Sequence, residues 1–371
     1  MTGFRLFALF VLSVLTLTLP MCKEGKQKPS KEVQRRVQSM SVEEKVGQLF
    51  MIGFNGRDIS PRLREWIVDR HAGGVIIFRK NVNSEKQLIS LTSEMQSLAQ
   101  GSKPGLPLLI ATDQELGVSR TEIKFGGVPP EPREVARMDS SDVVSLATEI
   151  ARDLRSWGIN MTMAPVVDID QPQGDTPLSY RTFSSNPDTV AYLARIFISS
   201  FQKERVIAAA KHFPGLGDVT IDSHKDMPRT DKTIDELLER ELRPYQGVIA
   251  EDVACIMSAH ILVRSVDSSN PATLSKTVLT GLLRERLGFQ GVIITDDMQM
   301  GGISKHYDLP EACVMSINAG ADIILHCQFL KGLATAEECY ECVLKAAYSG
   351  EIPRKRLDEA VYRILILKED L

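Results

Sequence analysis

The sequence has no surplus of positive charge: 44 Lys and Arg stand against 48 Asp and Glu, a formal net charge of −4. Nucleic acid is therefore not an expected partner, since binding it needs a cationic face. The Lys/Arg-rich stretches, Lys23 to Arg36 and Arg354 to Arg356, read as a solvated tail and helix faces. Cysteine is sparse. Beyond Cys22, the thiols at 255, 313, 327, 339 and 342 follow no regular spacing, which excludes a disulfide framework. Cys339-x-x-Cys342 lies in the helix-like run AEECYECVLKAAY without a second Cys pair or a His cluster, so it reads as two thiols on one helix face and not as a zinc or redox motif. No Gly-rich dinucleotide fingerprint follows any strand-like run, and no repeat shorter than a strand-helix unit is visible.

Only one long apolar run is present, Leu6 to Leu19, and it is shorter than the roughly 20 residues of a membrane span. With Arg5 before it and the polar stretch KEGKQKPSKE behind Cys22, residues 1–22 are expected to be an export signal. Cys22 directly after the run suggests a lipoprotein, acylated on that cysteine. Pro20 and Met21 are not the small residues usual there, so an uncleaved anchor or an ordinary cleaved signal stays open. The expected product is exported, periplasmic or in the cell envelope, with a polar linker over 23–39 and a single domain over 40–371. It is expected to be monomeric and to meet a membrane only through its N-terminus.

The body of the chain alternates strand-like and helix-like runs. Strands are predicted at 48–54, 75–78, 106–112, 160–168, 206–210, 254–260, 291–297 and 321–327. Helix starts carry explicit signals: Ser41-x-x-Glu44, Ser60-Pro61, Ser84-x-x-Gln87, Thr233-x-x-Glu236 and Ser275. The Thr233 helix is predicted to run to about Glu251, and two terminal helices are predicted over 331–349 and 354–370. Eight strands in strict alternation with helices, within a length near ~250 residues, predict an α/β fold, a (β/α)8 TIM barrel, over an open doubly wound sheet. On that fold Asp113, Asp168, Lys211, His212, His260 and Asp296 fall at the C-terminal strand ends, the face on which such barrels work.

The densest chemistry is in VIAAAKHFPGLGDVTIDSHKDMP, residues 206–228. An apolar strand ends in Lys211 and His212, and a Gly/Pro-rich loop then carries Asp222-Ser223-His224. Two residues apart in a loop, the Asp222 carboxylate can hold one imidazole nitrogen of His224 and leave the other for a substrate. A simple loop hydrogen bond is the alternative for an isolated Asp-x-His pair. TDD at 295–297 offers a second carboxylate site; the residues themselves leave open whether Asp296 or Asp297 faces the substrate, and the structural alternative is that both cap the following helix.

KHFPGLGDVTIDSHKDMP resembles the signature of the β-N-acetylglucosaminidases of glycoside hydrolase family 3, and the resemblance extends from about Met40 to His326. It implies a retaining exo-β-N-acetylglucosaminidase acting on terminal N-acetylglucosamine of peptidoglycan fragments or related glycans, with no cofactor and no metal. It places the nucleophile on Asp296, leaving Asp297 to support the strand end, and makes His224 the acid/base, held by Asp222. Many members of the family take their acid/base from a second domain, for which this chain has no room. Asp113 of TDQELG, Arg181 of YRTF, Lys211 and His212 match sugar-binding positions, as does Arg120. Glu115 and Asp168 are read as structural barrel-end residues. Two departures stand out: Leu216 occupies a position where the family usually has His, and DQELGVSR is one residue shorter than the family's turn before Arg120.

Two other classes compete. A metal-dependent amidohydrolase would also place Lys, His and Asp at strand ends, but QLFMIGF supplies no His-x-His pair on the first strand. A non-catalytic sugar-binding surface lipoprotein would explain the export signal together with the departures at Leu216 and the DQELG turn. It would leave Asp222, His224 and Asp296 without a role.

Overall fold

The computed structural model of the chain describes residues 30–117, 123–171, 176, 178–217, 219, 221–327, 332, 334–369 and 371. The export signal, Cys22, the first part of the linker and Arg120 lie outside the described residues. Ten strands occur among them in chain order: β1 (Phe50–Ile52), β2 (Gly74–Ile77), β3 (Leu109–Thr112), β4 (Met161–Thr162), β5 (Ile207–Phe213), β6 (Arg229–Thr230), β7 (Cys255–Ser258), β8 (Leu262–Val263), β9 (Val292–Thr295) and β10 (Ile324–His326). Eight of them form one parallel sheet in the order β10-β1-β2-β3-β4-β5-β7-β9. An Ile294–Ile323 bridge joins its two outer strands, with Thr295 N donating to Ile323 O at 2.9 Å, so the sheet closes into the expected (β/α)8 barrel. Strands β6 and β8 make a separate two-stranded parallel ribbon.

Local sequence explains these elements. The barrel strands are short apolar runs buried on every residue, without the alternation of a half-wet sheet. Ser41 and Glu44 cap the helix Val42–Gln48 reciprocally, Ser60 and Pro61 open Pro61–Val68, and Ser84 caps Glu85–Gly101. Ser275 Oγ accepts from Val278 N at 3.2 Å at the start of the helix Thr277–Arg286, which is wound with the wider i→i+5 spacing.

Four expectations are corrected. The helix predicted from Thr233 to about Glu251 is two helices, Ile234–Glu239 and Arg243–Ala250. Pro244 accounts for the break, because proline has no N–H and its ring collides with the carbonyl four residues back. The strand predicted over 160–168 is regular only at Met161 and Thr162; beyond them Pro165 cannot donate, and contact with β5 continues irregularly through Ala164 O, Pro165 O and a Val166–Lys211 bridge. Strand β5 runs past the predicted end at Ala210 and includes Lys211, His212 and Phe213. Finally, the stretch read as linker holds the helix Lys31–Ser39, whose Val33 and Val37 are buried. It packs on the last helix, Arg354–Lys368, and Ser30 N donates to Tyr362 Oη at 3.1 Å. Apolar residues at an i, i+4 spacing are enough to turn a polar stretch into an amphipathic helix once a partner face exists.

The helices Lys31–Ser39, Val42–Gln48 and Arg354–Lys368 close the N-terminal end of the barrel. There the buried Asp322 carboxylate meets Arg284, Arg356 and Arg363, while Ile293 N donates to it at 3.0 Å. Cys339 and Cys342 both lie in the helix Ala336–Ser349, and the five described cysteines are free thiols. Among the described residues, no helix is long and apolar enough to cross a membrane.

Candidate active site

The C-terminal strand ends bring Asp113, Lys211, His212, His260 and Asp296 to one mouth. Lys211, at the end of β5, places Nζ 2.8 Å from Asp113 Oδ1 and 2.6 Å from Glu115 Oε1. Glu115 also receives Arg181 through two hydrogen bonds, Nε to Oε2 at 2.9 Å and Nη2 to Oε1 at 2.6 Å. Glu115, Arg181 and Lys211 are all buried, whereas the Asp113 carboxylate is 31% exposed and turned toward the opening. Burial alone would neutralise Glu115, but Arg181 and Lys211 outweigh it and hold this carboxyl far below the carboxylate range. The reciprocal effect of Asp113 and Glu115 on Lys211 overcomes burial and keeps its ammonium charged.

His212 is oriented from the other side. Its Nδ1 lies 2.7 Å from Asp168 Oδ2, and the second oxygen of Asp168 accepts Leu216 N at 2.7 Å. One buried carboxylate therefore fixes both the imidazole and the loop that follows β5. A β-carbon on Gly217 would meet Ile169 O at 1.6 Å, so only glycine lets that loop lie this close to the backbone.

The two aspartates after β9 differ. Asp297 Oδ1 accepts Cys327 N at 3.1 Å and Gln299 N at 3.2 Å, while among the described residues Asp296 Oδ1 accepts only Asp297 N, at 2.8 Å. Asp297 is thus committed to backbone groups, and burial raises its pKa. Burial also pushes Asp296 upward, but His212, His260, His224 and the Asp297 N–H outweigh it, leaving Asp296 below its ordinary value. His260 is fully buried, donates from Nε2 to Asp297 O at 3.0 Å and sits with Nδ1 2.9 Å from Thr273 Oγ1. Burial lowers its pKa, and its two ring contacts brace the strand end.

Above this floor, Asp222 Oδ1 lies 2.8 Å from His224 Nδ1 and accepts His224 N at 3.0 Å. Nε2 has no partner among the described residues, and the imidazole is 57% exposed. His224 and Asp296 line the same two adjoining hollows. One is walled by Asp113, Glu115, Lys211 and Asp297. The other is walled by Leu178, Leu216, Val219 and Ile221 beside the dyad. A larger groove of about 640 Å³ lies at the opposite end, between the starts of β5, β7 and β9 and the last helix, away from all of these residues. Among the described residues no three His, Cys, Asp or Glu side chains converge as metal ligands.

Of the residues singled out in the sequence, Asp113, Arg181, Lys211, His212, Asp222, His224 and Asp296 meet at this mouth, and Arg120 lies outside the described residues. Glu115 and Asp168 are structural in the sense expected, yet they hold Arg181, Lys211 and His212 directly. Their only sequence signal is position: Glu115 lies three residues past the end of β3 and Asp168 follows a proline-broken strand, with their partners more than 40 residues away.

The carboxylates and the Lys/His pair lie at the C-terminal mouth of a closed (β/α)8 barrel, the face on which such barrels keep their active sites. The chain belongs to glycosyl hydrolase family 3: residues 41–367 match the family's N terminal domain. It is 34% identical over 333 residues to Beta-hexosaminidase A of Pseudoalteromonas piscicida, covering 84% of this chain and 56% of that protein. To Beta-hexosaminidase LpqI of Mycobacterium tuberculosis it is 32% identical over 337 residues, 89% of this chain and 83% of the relative. The solved family 3 beta-N-acetylglucosaminidase from Paenibacillus sp. str. FPU-7 superposes with a TM-score of 0.84 at 37% identity, covering 90% of this chain and 63% of that one. The chain thus spans a little over half of the Pseudoalteromonas protein and under two thirds of the Paenibacillus structure.

Proposed function

We propose that the protein is a retaining exo-β-N-acetylglucosaminidase that removes terminal β-linked N-acetylglucosamine from peptidoglycan fragments or related glycans. The observation that carries this is that Asp296 and His224 line the same hollows, and that among the described residues one Asp296 oxygen accepts no backbone hydrogen bond and His224 Nε2 has no partner. The relatives' names, beta-hexosaminidase and beta-N-acetylglucosaminidase, support the sugar class.

In the first half-reaction Asp296 attacks the anomeric carbon as the glycosidic C–O bond breaks, and imidazolium His224 gives its proton to the departing oxygen. The sugar is then esterified to Asp296. Neutral His224 next takes a proton from water as that water attacks the same carbon, which frees Asp296 and restores the imidazolium. Two displacements give net retention. Asp222 holds the ring in the tautomer that leaves Nε2 for both transfers. Asp113 and Lys211 bind hydroxyls, Arg181 and His212 frame the ring, and Arg120 is assigned to the same task from its motif. We further propose an exported, monomeric protein, tethered by lipid at Cys22.

Release of 4-nitrophenol from its β-N-acetylglucosaminide and from its β-glucoside tests the reading. The expected result is turnover of the acetamido sugar alone, reduced at least about a thousandfold in Asp296→Asn, as for loss of a nucleophile. Preference for the glucoside removes the acetamido assignment, and absence of turnover on both 4-nitrophenyl substrates and muropeptides removes the enzyme.

A further inference from the structure

We infer that His306 and Asp226 are positioning residues for the acid/base: their hydrogen bond clamps the turn that carries His224 onto the chain that follows the nucleophile Asp296. The inference rests on the function proposed above. It adds two residues that line neither of the hollows around His224 and Asp296.

The dyad sits in one tight turn. Asp222 O accepts Lys225 N at 2.9 Å and Asp226 N at 3.1 Å, while the Asp222 carboxylate accepts His224 N at 3.0 Å and faces His224 Nδ1 at 2.8 Å. Asp226 therefore moves with the dyad. Its own carboxylate accepts Met227 N at 2.8 Å and lies 2.7 Å from His306 Nε2. The His306 bond is the main cause that holds the Asp226 carboxyl below its ordinary value.

The other half of the clamp belongs to the nucleophile's side of the site. His306 stands ten residues past Asp296, and between them Gly301 N donates to His224 O at 3.1 Å and Gly302 N to Ser223 O at 3.0 Å. A β-carbon on Gly301 would lie 2.5 Å from Lys225 O and 2.8 Å from His224 O, so glycine is what lets the two backbones meet. These two bonds join adjacent residues to adjacent residues and act as a hinge line. The His306–Asp226 bond, four residues past Gly302, is a third attachment that opposes rotation about that line. Proton transfer needs Nε2 of His224 within hydrogen-bond reach of the departing oxygen, so a small tilt of the turn weakens it. The His306 side chain is 36% exposed and that of Asp226 52%, so their pairing adds little to overall stability. Its effect falls on where the turn is held.

The test compares kcat/KM for phenyl and 4-nitrophenyl β-N-acetylglucosaminide, whose leaving groups are alike in shape and differ in basicity. Phenolate needs the acid's proton, and 4-nitrophenolate needs little of it. His306→Ala is expected to lower the phenyl-to-4-nitrophenyl ratio by about twofold to fivefold, the scale of an exposed ion pair. Asp226→Ala is expected to act in the same direction. His306→Gln, whose side-chain amide can still donate to Asp226, is expected to restore the ratio. In a His224→Ala background, His306→Ala is expected to leave the ratio unchanged, because its effect passes through that imidazole. A fall of less than about twofold in His306→Ala overturns the inference, as does a loss that His306→Gln leaves in place or a further fall in the His224→Ala background. Failure of the wild type to cleave either substrate sinks the proposed activity instead, so the two failures are distinguishable.

Discussion

Glu115 and Arg181, 66 positions apart in the chain, meet through two hydrogen bonds of 2.9 and 2.6 Å beneath the mouth of the barrel. The same carboxylate holds Lys211, so one anion keeps two cations at the mouth of the barrel. Replacing Glu115 with Gln leaves Arg181 without its paired carboxylate and Lys211 with Asp113 alone. Breaking a buried pair from one side costs about 3–5 kcal/mol, and a lower midpoint in chemical denaturation is the expected result. KM for the glycoside is expected to rise as Lys211 and Arg181 lose their positions. An unchanged midpoint and KM would show that Glu115 carries no such load.

The dyad makes a graded prediction. A positioned general acid contributes roughly 10²–10⁴-fold, so His224→Ala should lose that much on a sugar leaving group and much less on 4-nitrophenolate, which needs little protonation. Asp222→Asn should show the same dependence with a smaller amplitude, because the ring remains but its orientation is weakened. Because deglycosylation is common to all leaving groups and can limit kcat, the comparison is made on kcat/KM, where a uniform loss across leaving groups would assign His224 to binding and not to protonation of the departing oxygen.

The pH behaviour of Asp296 follows from its surroundings. Burial raises its pKa, but three imidazoles and a backbone N–H prevail, so the folded value lies below the ordinary 3.8. A depressed value means that the stabilisation is fully present above 3.8 and is lost only as pH falls through the lower folded value. Asp296 therefore stays ionised throughout neutral and mildly acidic conditions. Any acid limb of kcat/KM found above pH 4 is expected to belong to another group and to move when that group is replaced. A carboxyl titration of Asp296 seen by NMR between pH 4 and 7 would contradict this.

At the other end of the barrel, Asp322 anchors Arg284, Arg356 and Arg363 and so ties the last helix to β9 and β10. Asp322→Asn leaves three guanidinium groups around a neutral amide, and the expected loss is again about 3–5 kcal/mol. Thermal unfolding should record it, while KM in the folded population stays near wild type, since Asp322 lies far from the mouth. A variant as stable as wild type would mean that the arginines find other partners.

These relationships show what the linear sequence carries and what it does not. Strand order, barrel closure and the placement of Lys211, His212, Asp222, His224 and Asp296 follow from short apolar runs, local caps and one motif, all of which are local properties. Where a single residue overrides a pattern, the pattern misleads: Pro244 divides a predicted helix and Pro165 interrupts a predicted strand. The helix Lys31–Ser39 was hidden because its apolar side is only two valines wide and its partner lies more than 300 residues away. Glu115 and Asp168 were hidden for the same reason. Their partners are named only by the closed barrel, and an acidic residue near a strand end reads alike whether it touches a sugar or braces the residue that does.

The attachment of Leu216 through its backbone has a consequence for how the site can change over time. Asp168 grips the Leu216 amide, not its side chain, and so secures His212 whatever residue stands at 216. A change of side chain at 216 therefore leaves in place the amide that secures His212, although the leucine side chain is itself buried in the core. The backbone at this point serves the chemistry, and the side chain serves the packing around it.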